Sequence, residues 1–212
     1  MSDSTKPIRQ ESSPYELPFP GAESAFSVGD FHLSVHLIIY DMTTLYLVRH
    51  GETVANASQI LQGQTPGALN KTGIQQAEAL HERLKNEPID AFVTSDLRRA
   101  SDTCLIIARG HGREVRTTPL LRERDWGDFT GAFIPDLKGK PFPANVETID
   151  ELTARARRFL HFLQAQYPEK TVLAVGHGII NKAIQSVFYG IPMSEVPKMG
   201  NAEVRKLELD NH

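Results

Sequence analysis

Cysteine is almost absent. The single thiol, Cys104, excludes an internal disulfide framework and a multi-cysteine zinc cage, and it suits a reducing compartment. Long apolar runs are missing too. The longest, around Leu33 to Val48, is broken by His36, Asp41, Thr43 and Thr44, whereas a membrane span needs about 20 apolar residues. The first thirty residues lack a basic start followed by an apolar core, so no secretory signal is visible. Positive charge is not in excess: 23 Lys and Arg stand against 26 Asp and Glu, a net charge of −3. Neither nucleic acid nor an anionic membrane finds an electrostatic footprint in that balance. A cytoplasmic protein without nucleic-acid or membrane partners is expected. With 212 residues, 40% apolar and 23% charged, the chain can bury one full core without metals or disulfides.

Charge and proline divide the chain unevenly. Residues 1–42 hold two basic and six acidic side chains, and four of the 13 prolines fall in the first twenty residues. This stretch reads as an acidic, poorly ordered leader, dispensable for the fold, with a strand possible over Phe31 to Tyr40. The domain then runs over 43–212. Its pattern alternates. Leu45 to Val48 is a continuous apolar run typical of a strand buried on both faces. Lys71 to Asn86 carries Ile74, Ala77, Leu80 and Leu84 at helical spacing. Strands are expected at Ile89 to Thr94, Glu114 to Thr118, Thr171 to Val175 and Val204 to Leu209. Helices are expected at Leu97 to Arg109, after the capping box Thr148-Ile149-Asp150-Glu151, and from Ile179 to Phe188. The fold class is α/β: a single three-layer α/β/α domain with a central, mostly parallel sheet.

In such sheets ligands bind at the carboxyl edge, where strands give way to loops. Two strand ends carry histidine before glycine: Arg49-His50-Gly51-Glu52-Thr53 and Gly176-His177-Gly178. Parallel strands bring both histidines to one edge, and the helix N-termini that follow aim amide groups at the same place, which favours an anion. Arg49 and Arg99 add planar, bidentate donors. Two histidines, two arginines and helix N-termini at one edge describe a phosphate pocket.

The segment Leu47 to Thr53 resembles the signature of the histidine phosphatase superfamily, also called phosphoglycerate-mutase-like. Asn56, Gln62-Gly63-Gln64, Leu69 to Ala77, Ser95 to Ala100, Leu121 to Phe129, Gly176-His177-Gly178 and Asn201-Ala202-Glu203 resemble further landmarks of that family, in order. The resemblance implies a two-step phosphoryl transfer. His50 would attack phosphorus to form a phosphohistidine that water hydrolyses. Arg49, Arg99 and His177 would bind the transferring oxygens, with Asn56 as a further contact. Glu123 would protonate the leaving oxygen and then activate water. Cationic side chains would supply the charge, so neither metal nor cofactor is expected. The implied activity is a phosphomonoesterase acting on a small phosphorylated metabolite. A bisphosphoglycerate-dependent mutase and a non-catalytic phosphate-binding protein are the alternatives; the short segment Ala132 to Asn145, where relatives carry longer lids, argues against the mutase and for a more open pocket.

Other residues read as structural. Arg98 and Arg122 are expected to be solvated neighbours, Trp126 to pack its loop, Cys104 to lie in the core, and Arg155, Arg157 and Arg158 to form a solvated helix face. Arg124 adjoins the acid and is weighed evenly as a contact for a second anionic group. Thr130 stands where relatives carry glutamate before Gly131, so the acid loop is expected to be supported differently.

Overall fold

The computed structural model describes residues 42–210. The acidic leader and the strand expected at Phe31 to Tyr40 lie outside them. Among the described residues five strands form one sheet in the order β3-β2-β4-β1-β5: β1 (Met42–Arg49), β2 (Ala91–Ser95), β3 (Val115–Thr118), β4 (Thr171–Gly176) and β5 (Val204–Asp210). Four run parallel, and β5 pairs antiparallel with β1 at the edge.

Alternation along the strands divides the apolar side chains between two faces. Leu45 and Leu47 of β1, Val93 of β2 and Val172 and Ala174 of β4 join a core closed by α4 (Ile149–Gln166) and α5 (Gly178–Tyr189). Val48, Phe92, Leu173 and Val175 face the other way, against α2 (Lys71–Leu84) and α3 (Arg98–Ile107). Cys104 is buried in this second core, where burial pushes its thiol up. Among the described residues no helix is long and apolar enough to cross a membrane.

Two differences from the sequence reading bear on the site. A one-turn helix, α1 (Val54–Ala57), begins four residues after His50, with Thr53 and Asn56 forming its capping box. The buried stripe of α2 runs through Gly73, Ala77, Leu80 and Leu84, and Ile74 is 45% exposed. The reason is backbone approach. A Cβ on Gly73 would stand 2.0 Å from the carbonyl oxygen of Glu52, and one on Gly51 2.5 Å from that of Gly73. The first turn of α2 is thus pressed against the His50-Gly51-Glu52 turn, which only glycine permits.

Register places the edge. Val48 pairs with Val175 and Arg49 with Gly176, so His50 and His177 emerge side by side. Because β5 is antiparallel, its start lies at this same edge, and residues 197–203 arrive over His50. Asn201 Nδ2 donates to the His50 carbonyl at 3.0 Å, and Ala202 N to that of Arg49 at 3.0 Å.

Candidate active site

His50 is 3% exposed. Its Nδ1 lies 2.7 Å from the carbonyl oxygen of Gly51. A carbonyl only accepts, so Nδ1 carries the proton and Nε2 the lone pair. Arg99 Nε donates to that Nε2 at 3.3 Å. Burial, reinforced by the neighbouring Arg99 charge, lowers the His50 pKa to about 3, so the ring is neutral at physiological pH.

Arg99, in the first turn of α3, is 1% exposed. Its amino groups donate to the carbonyls of Gly63 at 2.8 Å, Pro66 at 3.2 Å and Thr65, so the 63–66 loop wraps the guanidinium. Burial lowers its pKa to about 10, which leaves it charged. Arg49 closes β1 and donates to the Met199 carbonyl at 2.7 Å, while its buried Nε has no partner among the described residues. His177 is fully buried and meets the His50 ring edge-on, centroids 5.0 Å apart. Both its ring nitrogens lack partners among the described residues, and burial, then the Arg99 charge, hold its pKa well below the usual value.

Glu123 reaches the edge from the loop after β3. Its Oε1 accepts from the amides of Arg124 at 2.8 Å, Ile179 at 3.1 Å and Ile180 at 3.3 Å; Oε2 takes one contact, Ile179 at 3.3 Å. The first-turn amides of α5 at Ile179 and Ile180, which the sequence reading aimed at phosphate, therefore hold a carboxylate of the chain itself, a favourable place for negative charge. Asn56 Oδ1 caps α1 and accepts from Asn201 at 3.3 Å, and its Nδ2 makes no bond to a described residue.

Arg49, His50, Asn56, Arg99 and Glu123 line one cavity of about 150 Å³ together with Ile60, Leu61, Gln62, Trp126, Ile134 and Lys198. His177 packs against His50 from the side. The segment Ala132 to Asn145 does not leave this cavity bare. Gly131 N donates to the Leu61 carbonyl, Leu61 N to Ala132 and Ile134 N to Gln59, so a short stretch suffices to bring Ile134 into the wall. A larger depression of about 510 Å³ beyond the acid loop is lined by Asp125, Glu147, Glu151 and Arg158, a charge balance that repels phosphate.

One arginine departs from the sequence reading, and two others near the acid are placed. Arg155 is buried rather than solvated. Its guanidinium holds Glu147 at 2.7 and 2.9 Å and reaches the carbonyls of Leu120 at 3.1 Å, Arg122, and Glu123 at 3.4 Å. Glu147 in turn accepts from Asp125 N at 3.1 Å. This clamp, with Thr130 outside it, is how the acid loop is held. Arg124 donates to the Glu147 carbonyl at 2.7 Å and lies 4.6 Å from the Trp126 ring centroid and 5.2 Å from that of Phe142; it is absent from the cavity wall. Arg122 is a solvated neighbour as expected, its side chain 40% exposed and paired with Asp96. Sequence reasoning missed Arg155, Glu147 and Lys198, and took Gln62 only as part of a motif. Gln62 Oε1 is buried without a partner among the described residues. For Arg155 one signal was available: its position three residues after Leu152 and four before Phe159, both on the buried face of α4.

Arg155→Met is expected to lose about 3–5 kcal/mol of stability, because the Glu147 carboxylate would stay behind without its cation in a pair only 10% and 13% exposed. Adding Glu147→Leu is expected to recover most of that loss. Urea unfolding of both variants checks this, and a loss below about 1 kcal/mol in the single variant, the level of an exposed pair, rejects the clamp.

The chain resembles known proteins over this same range. A family model described as the histidine phosphatase superfamily (branch 1) matches residues 45–212. The uncharacterized phosphatase PhoE of Bacillus subtilis is 36% identical over 173 residues, 79% of this chain and 89% of that one. A metal-independent phosphoserine phosphatase of Arabidopsis thaliana is 35% identical over 186 residues, 80% of this chain and 77% of that one. Among solved structures, a mycobacterial glucosyl-3-phosphoglycerate phosphatase complexed with VO3 aligns with a TM-score of 0.70 and 31% identity, covering 77% of this chain and 91% of that one.

Proposed function

The chain belongs to the histidine phosphatase superfamily and is a phosphatase, and we propose that it hydrolyses small phosphomonoesters through a phosphohistidine on Nε2 of His50. The observation that carries this reading is the 2.7 Å contact from His50 Nδ1 to the Gly51 carbonyl, which leaves the lone pair on Nε2, at the wall of a cavity that also holds two guanidiniums. When a phosphoryl group enters, Arg99 Nε exchanges Nε2 for a phosphoryl oxygen, and the unpaired Arg49 Nε and a His177 N–H supply further donors. These groups are in place before the reaction, so little reorganisation opposes the charge developing in flight.

In the first step Nε2 bonds to phosphorus, the bond to the alcohol oxygen breaks, and that oxygen takes a proton from Glu123. In the second, water attacks the phosphohistidine, returns a proton to Glu123 and releases inorganic phosphate. Oε1 takes three of the four amide contacts at Glu123, so Oε2 is the oxygen that carries the proton. Arg49 and Arg99 supply the positive charge that the step needs, and a metal is not required. The names of two relatives, a metal-independent phosphoserine phosphatase and a glucosyl-3-phosphoglycerate phosphatase, agree with a small phosphomonoester as substrate.

Release of inorganic phosphate from an aryl phosphate is expected to survive exhaustive chelation and to be inhibited by vanadate, which mimics a five-coordinate phosphoryl group. Activity lost to the chelator and restored by magnesium would overturn the metal-independent mechanism. Interconversion of phosphoglycerates without phosphate release would point to the mutase instead.

A further inference from the structure

Three cationic side chains stand in the cavity wall: Arg49, Arg99 and Lys198. Arg99 is bound to His50 and to three carbonyls, and Arg49 to one. The Lys198 ammonium has neither a hydrogen bond nor an ion pair with any described residue. Its backbone, by contrast, is braced. Arg205 donates to the carbonyls of Pro197 at 3.2 Å and Lys198 at 3.4 Å while paired with Glu203 at 2.8 Å. The next residue, Met199, is buried and holds Arg49 through its carbonyl, and Gly200 N donates to Glu203 at 2.7 Å. The loop thus mounts an uncommitted positive charge on a fixed main chain beside the reacting groups.

The cavity has a floor and a mouth. His50 and Arg99 are buried, whereas Lys198 and Ile134 are exposed. A volume of about 150 Å³ corresponds to roughly five waters at ~30 Å³ each, enough for the phosphoryl group and the first atoms of its alcohol. Lys198 and Ile134 are the exposed residues of this wall, so the rest of an alcohol leaving the cavity on its open side would pass them. At the floor the two guanidiniums already match the two negative charges of a phosphomonoester, so the charge of Lys198 is surplus to it. The other cations near the acid are committed: Arg124 to the Glu147 carbonyl and two aromatic rings, Arg155 to Glu147 and three carbonyls, and Arg122 to Asp96.

We propose that Lys198 is a specificity residue, selecting phosphomonoesters whose alcohol carries a second anionic group, a carboxylate or a second phosphate. An ammonium is a point charge that serves either anion. The inference rests on the phosphatase reading above.

Matched substrates test it. 3-Phosphoglycerate and glycerol 3-phosphate differ in a carboxylate against a hydroxymethyl group, and fructose 1,6-bisphosphate and fructose 6-phosphate in a second phosphate. The full-length protein is expected to favour the more anionic member of at least one pair by about ten-fold in kcat/KM, mainly through KM, and less so in 0.5 M salt, where exposed charges are screened. Lys198→Met is expected to erase the preference and Lys198→Arg to keep it; the favoured pair names the anion. No preference in either pair, or equal loss on both members in Lys198→Met, overturns the inference while turnover itself leaves the phosphatase reading standing. Aryl phosphate turnover with none of the four metabolites hydrolysed also overturns it alone. No hydrolysis of any phosphomonoester overturns the phosphatase reading together with it.

Discussion

His50→Ala is expected to lower turnover by on the order of 10⁴-fold or more, the scale seen when a nucleophile acting within a catalytic unit is removed. The ring is buried, neutral and turned so that Nε2 is its only lone pair; no other described side chain in the cavity wall offers a neutral nitrogen nucleophile. Brief reaction of the unaltered protein with phosphorus-labelled substrate, quenched in alkali, is expected to leave an acid-labile adduct on the peptide that contains His50. The variant should leave none, while keeping its far-UV circular dichroism and a cooperative thermal transition. The neighbouring ring makes the test sharp. His177 lies 5.0 Å away, centroid to centroid, and label on its peptide would transfer the nucleophile's role to it. Substantial turnover by His50→Ala would remove His50 as the nucleophile.

Glu123→Gln is expected to lose about 10²–10⁴-fold on an alkyl or sugar phosphate, the range of general acid–base assistance, and much less on an activated aryl phosphate. An alkoxide is strongly basic and must be protonated as its bond breaks; an activated aryl oxide departs with little help. Glutamine keeps the length of the side chain and an oxygen for the amides of Arg124, Ile179 and Ile180, but it has no proton to transfer at the position of Oε2. The same residue is proposed to activate water in the second step, so steady-state rates limited by dephosphorylation would fall alike for both substrates. Single-turnover formation of the phosphoenzyme isolates the step in question. Equal losses there would remove Glu123 as the acid, and its loop offers no ready substitute. Asp125 Oδ1 accepts from Gly127 N at 2.9 Å and Asp128 Oδ1 from Asn145 Nδ2 at 2.9 Å, and neither residue is in the cavity wall.

Much of this site is written locally in the chain. The apolar runs of β1 and β4, each ending in histidine and glycine, imply two parallel strands delivering His50 and His177 to one edge, and their register does so, Arg49 beside Gly176. Arg99 follows β2 and opens α3, and both facts are legible from hydrophobic periodicity alone. Periodicity reports which face of an element is buried, because burial repeats with the turn of the helix or the pleat of the strand. It does not report what a polar group meets there. Among the arginines of α4, spacing puts Arg155 on the buried face, but nothing local shows that Glu147 and three carbonyls lie beneath it, the nearest of these partners eight positions away along the chain. The amides of α5 look available for phosphate until Glu123, 56 positions earlier, folds onto them. Gly51 follows His50 directly, yet its carbonyl selects the tautomer only because the Gly51–Gly73 contact sets the turn. Residue types and strand ends determined the chemistry available at the edge. Which oxygen, which nitrogen and which cation are free to act was decided by long-range hydrogen bonds, because a buried donor or acceptor must find its partner wherever the fold brings one.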